Sequence, residues 1–289
     1  MTKLERILLD DDRFFGVNER SHEQSRQQRI EFENNKAIIQ VIDDAYALGI
    51  RAMMCTTHDR MGDICAHVKA TPAKYRGFAF YPMMPQGHKY AASVAEVGIL
   101  ETIKRFSTGG VVSTLFRASI GAITQDIFDL MKLLVDAEMK RFDGIDTPVV
   151  FLQNVVTDLV LGMKMYDLFG EFHRYMYERY KAEAGFVTMN LPALVDALET
   201  VGVRNPVVCA TINKTGFRMS GGLEAYERTL RDRKVRVIAR GVLPSSDVTP
   251  EDGFGYVCGH KKIEGIVVNA TSRADIAAVQ ALIQKLDGS

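Results

Sequence analysis

Four residues with acid, base or nucleophilic side chains stand just after short apolar runs of the sequence. Lys214 follows Thr-Ile-Asn at the end of one run, and Glu19, His58 and Asp59 follow two others. A lysine that a strand end partly desolvates has a lowered pKa and forms Schiff bases with carbonyl compounds. Carboxylates and imidazoles that share a pocket with such a lysine serve as acids and bases. These residues predict catalysis. The alternative for Lys214 is an exposed lysine that pairs with a carboxylate or holds a ligand anion.

A second set of polar side chains ends or follows apolar runs and is predicted to bind the substrate. An amide offers both donors and an acceptor to a ligand, although each could instead cap the next helix or tie strand ends together. The set favours a small polar metabolite, such as a sugar, an amino acid or a heterocycle, over a lipid. Its members are His88, Asn154, Asn190, Asn213, Arg240 and Asn269.

A divalent-metal site is a further interpretation of Glu19, His58, Asp59 and His88, because imidazole and carboxylate groups from neighbouring strands converge at one rim. The sequence has no H-x-H or H-E-x-x-H spacing that would support it. We therefore predict no metal ligands. Metal binding stays a less favoured alternative.

Charge and hydropathy exclude several classes of protein. The chain has 36 basic and 36 acidic residues and a formal net charge of zero, so it offers no electrostatic footprint for nucleic acid. No apolar run approaches the roughly 18 residues that span a bilayer. The four cysteines are not closely paired, and the first residues lack a secretion-signal pattern. We expect a cytoplasmic protein with reduced thiols and no membrane partner.

Short apolar runs alternate with amphipathic stretches along the chain, which is the pattern of repeated βαβ units. The pattern predicts one domain over residues 1–289, an α/β fold of the (βα)8 or TIM-barrel type with its pocket at the C-terminal ends of the strands. The predicted helices are Asn35–Leu48, Ile120–Arg141, Leu191–Val201, Leu223–Arg233 and Ser272–Leu286. The predicted strands are Arg13–Val17, Arg51–Thr56, Gly77–Tyr81, Val149–Gln153, Gly185–Met189, Val207–Ile212, Val235–Ala239 and Gly265–Asn269.

Two stretches depart from the alternation. Residues 88–119 are predicted to be an insertion after the third strand, although Gly109–Phe116 is also compatible with a barrel strand. An insertion there would cover the pocket as a lid or contact a second subunit in a homodimer. Asp10–Lys36, which is dense in Arg, Glu, Gln and Asn, is either a solvated helix face or a mobile loop, and we favour the helix.

Several segments resemble aldo-keto reductases. AYALGIRAMMCTTHDRMGDICAHVK (45–69) is similar to the second strand and following helix of that family, and GFVTMNLPALVDALETVGVRNPVVCATINKTGF (185–217) to a later strand, helix and strand. VRVIARGVLP (235–244) and IEGIVVNATSRADI (263–276) resemble the last two strands. The resemblance implies a (βα)8 barrel and a nicotinamide cofactor, NADP, with its phosphate at Ser272 and Arg273. An ordinary helix cap is the alternative at those two residues.

The residues that carry reduction in that family are not matched here. The resemblance implies an Asp, a Tyr, a Lys and a His that together protonate a carbonyl. The corresponding positions fall on Met54 or Cys55, Arg60 or Met61, Met83 or Met84, and Gln153 or Asn154.

Three functions are compatible with the sequence, and we favour the first over the other two. The first is lyase, aldolase-like or isomerase chemistry, in which Lys214 is the nucleophile or electrostatic anchor. The second is an NADP-dependent oxidoreductase with a rearranged proton donor. The third is a non-catalytic barrel that binds a metabolite or a partner protein.

Overall fold

Eight parallel strands close into a barrel in the computed structural model, which describes residues 2–17, 21–86 and 123–288. Each strand pairs with the next along the chain, and the last pairs with the first. The predicted (βα)8 architecture is confirmed. The strands are β1 (Ile7–Asp10), β2 (Ala52–Thr56), β3 (Ala79–Met84), β4 (Val149–Leu152), β5 (Glu183–Thr188), β6 (Val207–Thr211), β7 (Arg236–Arg240) and β8 (Ile263–Val268).

Helices follow the strands and cover the barrel. Two of them precede β2, and two others separate β4 from β5. Within the described ranges they are α1 (His22–Glu31), α2 (Asn35–Ala47), α3 (Met61–Ala70), α4 (Ile123–Met139), α5 (Asn154–Gly162), α6 (Asp167–Tyr175), α7 (Leu191–Thr200), α8 (Leu223–Asp232), α9 (Pro250–Cys258) and α10 (Arg273–Asp287). None of these helices is long and apolar enough to cross a membrane.

The first strand was predicted at the wrong place. Arg13–Val17 is not a strand, because Asp12–Phe15 forms a 3₁₀ turn and the strand is Ile7–Asp10. Its apolar run is continuous because Leu8 faces the barrel interior and Leu9 the helix layer, so that both faces are buried. The predicted solvated helix is found in α1, which contains no buried residue.

The other predicted strands and helices occur with shifted ends. The third strand, expected at Gly77–Tyr81, is Ala79–Met84, and the helix expected at Ile120–Arg141 is α4. The predicted insertion 88–119, with its candidate strand Gly109–Phe116, lies outside the described residues.

Two apolar clusters form the core. One fills the barrel, where Met54, Tyr81, Phe151, Cys209 and Ile238 point inward, and the other lies between the sheet and the helices. Inward and outward residues alternate along each strand, as they must in a closed barrel. This alternation directs the last inward side chain of each strand towards the mouth of the barrel.

Candidate functional site

The C-terminal mouth of the barrel contains an ion-pair network between β1 and β7. Asp10 follows inward-facing Leu8 by two residues, and Arg240 follows inward-facing Ile238 by two. Because β8 separates β1 from β7 in the sheet, the Arg240 side chain crosses the mouth to reach Asp10. Arg240 Nη2 lies 2.8 Å from Asp12 Oδ2 and 3.7 Å from Asp10 Oδ2.

Asp10 is a buried carboxylate without a hydrogen-bond donor. Its side chain is 1% exposed, and neither of its oxygens accepts a hydrogen bond from a described residue. The backbone N–H groups of Asp12 and Asp11 lower its pKa without reaching hydrogen-bond geometry. Burial and the neighbouring Asp12 outweigh these effects and Arg240, and they raise the pKa of Asp10 to about 7. Asp10 can therefore hold or release a proton near neutral pH.

Asp11 faces the other way and is better satisfied. Its Oδ2 accepts hydrogen bonds from the backbone N–H and the hydroxyl of Thr56, both at 2.7 Å, which ties the end of β1 to the end of β2. Burial, Asp10 and Asp12 raise the pKa of Asp11 well above its ordinary value. Its second oxygen, Oδ1, is buried without a partner among the described residues.

Arg240 keeps donors available at the mouth. Its side chain is 22% exposed, and Nη1 lies 3.8 Å from the thioether sulfur of Met83, which is a weak acceptor. Burial lowers the pKa of Arg240, but the carboxylates of Asp12 and Asp10 more than offset it, so the net shift of that pKa is upward. The guanidinium is a permanent cation with an incompletely used fork of donors.

Sulfur-containing side chains lie below this network. Cys209 Sγ is 3.6 Å from Met54 Sδ, and both residues are fully buried. Cys55, Cys65 and Cys209 are free and buried, and Cys258 is free and half-buried. Burial raises the pKa of Cys209 to about 12, so its thiol is neutral. The floor of the mouth is thus apolar, which strengthens the electrostatic interactions above it.

Oxygens of Asp10, Asp11 and Asp12 lie within 4.8 Å of one another, a spacing that a metal ion would also accept. The Arg240 guanidinium already lies against two of these carboxylates. We therefore describe the group as an ion-pair network and assign it no metal.

The predicted desolvation of Lys214 is not found. Its side chain is 51% exposed, and Nζ lies 2.6 Å from Asp252 Oδ1. Asp252 also accepts a hydrogen bond from the Thr249 hydroxyl. Hydrogen bonds from Lys214 and Thr249 lower the pKa of Asp252. Lys214 thus joins the loop after β6 to the start of α9, in agreement with the alternative of an exposed lysine paired with a carboxylate.

The remaining acid–base candidates that the structure describes contact other residues of the protein. The His58 ring stacks on Phe15 at 3.9 Å, and its Nδ1 accepts a hydrogen bond from the backbone N–H of Arg60. The Asp59 carboxylate is 72% exposed and lies 3.0 Å from Arg141. Glu19 and His88 lie outside the described residues.

Two of the four predicted amides make structural contacts. Asn190 caps α7 by accepting from the N–H of Ala193. Asn213 is fully buried, and its amide donates to the carbonyl groups of Phe217 and Gly241 and accepts from Thr215. These contacts support the capping and loop-tying alternatives for both residues.

Three predicted binding residues are placed at strand ends. Asn154 begins α5 directly after β4 and is half-buried, and Asn269 is exposed just after β8. Of the predicted binding residues that the structure describes, Arg240 is the one that joins the ion-pair network.

The side chains of the two predicted cofactor-binding residues contact other residues of the protein. The Ser272 hydroxyl accepts from the N–H of Asp275, and Arg273 Nη1 lies 3.4 Å from Asp44. Two carboxylates therefore lie beside the start of α10, and they disfavour a phosphate there. These residues do not fit the phosphate of NADP as they stand, and the helix-cap alternative describes Ser272.

At the described strand-end positions where the resemblance implied an Asp, a Lys and a His, those proton donors of an aldo-keto reductase are absent. Met83 and Met84 end β3, and Gln153 follows β4 with 8% of its surface exposed. Met54 points into the barrel from β2. None of these side chains donates a proton from an acidic group.

Asp10, Asp11 and Asp12 were missed by the sequence analysis. They were assigned to a solvated segment because β1 was placed too late in the chain. The useful signal is the run Ile7-Leu8-Leu9, which is apolar and directly precedes three carboxylates. Three acids after a buried parallel strand must lie at the mouth of a barrel.

Comparisons with known proteins show the fold. No family model matches the sequence, and no curated protein does. A candidate aldo-keto reductase from Pseudomonas aeruginosa, seen in two crystal structures, superposes with a TM-score of 0.59 at 11% identity, covering 98% of this chain and 91% of that one. An aldo-keto reductase from Brucella melitensis gives 0.51 at 11% identity, covering 88% and 90%. The protein therefore has an aldo-keto-reductase-like (βα)8 barrel fold.

Proposed function

We propose that the protein is an enzyme that moves a proton on a small polar metabolite bound at the barrel mouth, with Asp10 as general acid and base. The observation that carries the proposal is the Asp10 carboxyl group, which is buried at the mouth, accepts no hydrogen bond from a described residue and lies 3.7 Å from Arg240. A group whose pKa lies near the working pH transfers protons most effectively.

Arg240 and Asp12 have supporting roles in this mechanism. The Arg240 guanidinium orients an oxygen of the substrate and stabilises negative charge that develops there as a proton leaves the adjacent carbon. Before the substrate binds, Asp12 holds the guanidinium in place through its 2.8 Å contact. Proton removal next to a carbonyl group is the first step of many isomerase and lyase reactions, and it requires no lysine nucleophile.

The alternative of carbonyl reduction with NADP has weaker support. The fold is that of aldo-keto reductases, but a fold hosts many activities. Among the described residues, the strand ends lack the family's proton donors, and carboxylates lie at the start of α10. The direct check on this alternative is a titration with NADPH, in which binding is detected as a change in the fluorescence of NADPH itself.

Proton exchange tests the proposal. Pyruvate, hydroxyacetone and L-alanine are each incubated with the protein in D₂O, and the loss of their C–H signals next to the carbonyl group is followed by NMR. We expect exchange of at least one compound, a loss of about a hundredfold or more in Asp10→Asn, and no loss in Lys214→Met.

Two results would contradict the proposal. One is exchange that persists in Asp10→Asn, and the other is the absence of exchange with all three compounds. Exchange that disappears in Lys214→Met would restore the lysine as the catalytic group.

A further inference from the structure

We infer that the ligand of the barrel mouth is a small α-amino acid, whose ammonium group contacts Asp10 while its carboxylate contacts Arg240. This inference rests on the proposed function and adds the class of substrate. It begins from two unused hydrogen-bonding groups that lie side by side. The Asp10 oxygens lack a donor, and Arg240 Nη1 has only a thioether sulfur near it in the described part of the chain.

The spacing of these groups selects for two adjacent polar groups on the ligand. Asp10 Oδ2 and Arg240 Nη2 are 3.7 Å apart, so one molecule meets both when its donor and its acceptor stand on neighbouring carbon atoms. An α-amino acid has this arrangement, and so does an α-hydroxy acid. Charge-assisted hydrogen bonds at both ends would orient the carbon between them.

The charge of the site favours the amine over the hydroxyl. Among the described residues at the mouth, Asp10 and Asp12 face the guanidinium of Arg240, and the carboxyl group of Asp11 lies beside theirs. A ligand that carries only negative charge meets repulsion from the carboxylates. A zwitterion supplies a positive group to Asp10 and a negative group to Arg240, and the ligand itself adds no net charge to the site.

Access to Asp10 requires an exchange of ion-pair partners. Asp12 and Arg240 are 20% and 22% exposed, whereas Asp10 is 1% exposed. The incoming carboxylate replaces Asp12 on the guanidinium, and Asp12 turns to solvent. One charge-assisted contact is exchanged for another, which keeps the free-energy cost of exposing Asp10 low.

Binding of an ammonium group should release a proton from the protein. The titratable or charged groups that act on Asp10 are Asp11 and Asp12 beside it, Arg240 from β7, Cys55 from β2 and Cys209 from β6. Burial raises the pKa of both thiols well above neutral pH, so they stay protonated. The neutral fraction of Asp10 is then the source of the released proton.

Calorimetric titration at pH 7.0 tests the inference. L-Alanine, L-lactate and isopropylamine are titrated in PIPES and in imidazole buffer, because the difference in heat between buffers counts the protons that binding releases or takes up. L-Alanine should release about half a proton, since Asp10 titrates near 7. It should bind at least about tenfold more tightly than L-lactate or isopropylamine, because each of these lacks one of the two ionic contacts.

Variants assign the binding to these side chains. Asp10→Asn should abolish the proton release, and Arg240→Met should weaken the binding of L-alanine at least about tenfold. Lys214→Met, which removes an exposed cation elsewhere on the rim, should change neither quantity. Circular dichroism confirms that each variant is folded.

Each contrary outcome has a distinct meaning. Tighter binding of L-lactate than of L-alanine, or no heat from L-alanine at about 50 mM, would overturn the amino-acid inference and leave the proton-transfer proposal standing. L-Alanine binding that neither Asp10→Asn nor Arg240→Met changes would place the ligand elsewhere and remove both proposals.

Discussion

At the scale of single residues, the buried position of Asp10 lowers the free energy of unfolding of the protein when this residue is ionised. A buried carboxyl group with a raised pKa is destabilised when it ionises, so its favourable contribution is present below its unfolded pKa of about 4 and is lost as the pH rises through about 7. A difference of about three pKa units corresponds to about 4 kcal/mol. Such a group is expected where function requires it.

We predict that Asp10→Asn is more stable than the wild type at pH 8 by about 2 to 4 kcal/mol and equally stable at pH 4. The amide keeps the size of the carboxyl group and cannot ionise. Urea unfolding at the two pH values measures the difference, with Asp12→Asn as the matched variant of a more exposed carboxylate. Equal effects of Asp10→Asn at pH 4 and pH 8 would show that Asp10 titrates normally.

At the scale of elements, the barrel interior is filled by pairing large and small residues on adjacent strands. Gly185 on β5 is opposite Phe151 on β4, and a Cβ atom at position 185 would lie 2.4 Å from the Phe151 ring. The glycine therefore provides the space that the ring occupies. Close packing of this kind leaves little freedom for added volume.

Gly185→Ala should lower the free energy of unfolding by about 1 to 3 kcal/mol, because the methyl group must displace the ring. Gly162→Ala is the control, since no described residue outside the backbone of α5 lies within 4 Å of the added carbon, and alanine favours a helix by up to about 1 kcal/mol. Thermal unfolding distinguishes the two substitutions. If Gly185→Ala is as stable as Gly162→Ala, the packing of the β4–β5 pair is not as described.

The sequence predicted the elements better than it predicted the site. Alternation of apolar runs and amphipathic helices located seven of the eight strands to within a few residues, because burial on both faces leaves a continuous apolar run. The run Ile7-Leu8-Leu9 was too short to stand out beside the longer polar segment that follows. With β1 misplaced, its carboxylates were assigned to solvent. Arg240 was found because it ends a clear strand, but its partners depend on the closure of the barrel.

At the scale of the whole molecule, the two ends of the barrel have different charged groups. Arg236 closes the N-terminal end, where it is 6% exposed, contacts both oxygens of Glu183 at 3.1 Å and reaches Glu264 at 3.3 Å. It also donates to the carbonyl group of Thr2. These contacts join β5, β7, β8 and the segment before β1. In barrels of this type, the N-terminal end serves stability and the C-terminal end function.

Arg236→Met should therefore lower stability by about 2 to 4 kcal/mol, because it leaves Glu183 without its buried partner. Arg231→Met removes an exposed arginine of α8 and should have no measurable effect on unfolding. Ligand binding at the mouth should be unchanged in the folded fraction of both variants. A loss of L-alanine affinity in folded Arg236→Met would contradict this division between the two ends.

The most direct test of the central claim is the pKa of Asp10 itself. Carbon-13 NMR of the protein labelled at the aspartate carboxyl carbon, with the signal assigned through Asp10→Asn, follows its ionisation from pH 4 to pH 9. We predict a midpoint near 7, which moves upward in Arg240→Met because the guanidinium favours the ionised form. A titration midpoint near 4 that is the same in the wild type and in Arg240→Met would show that the barrel mouth does not hold a proton-transfer group at this position.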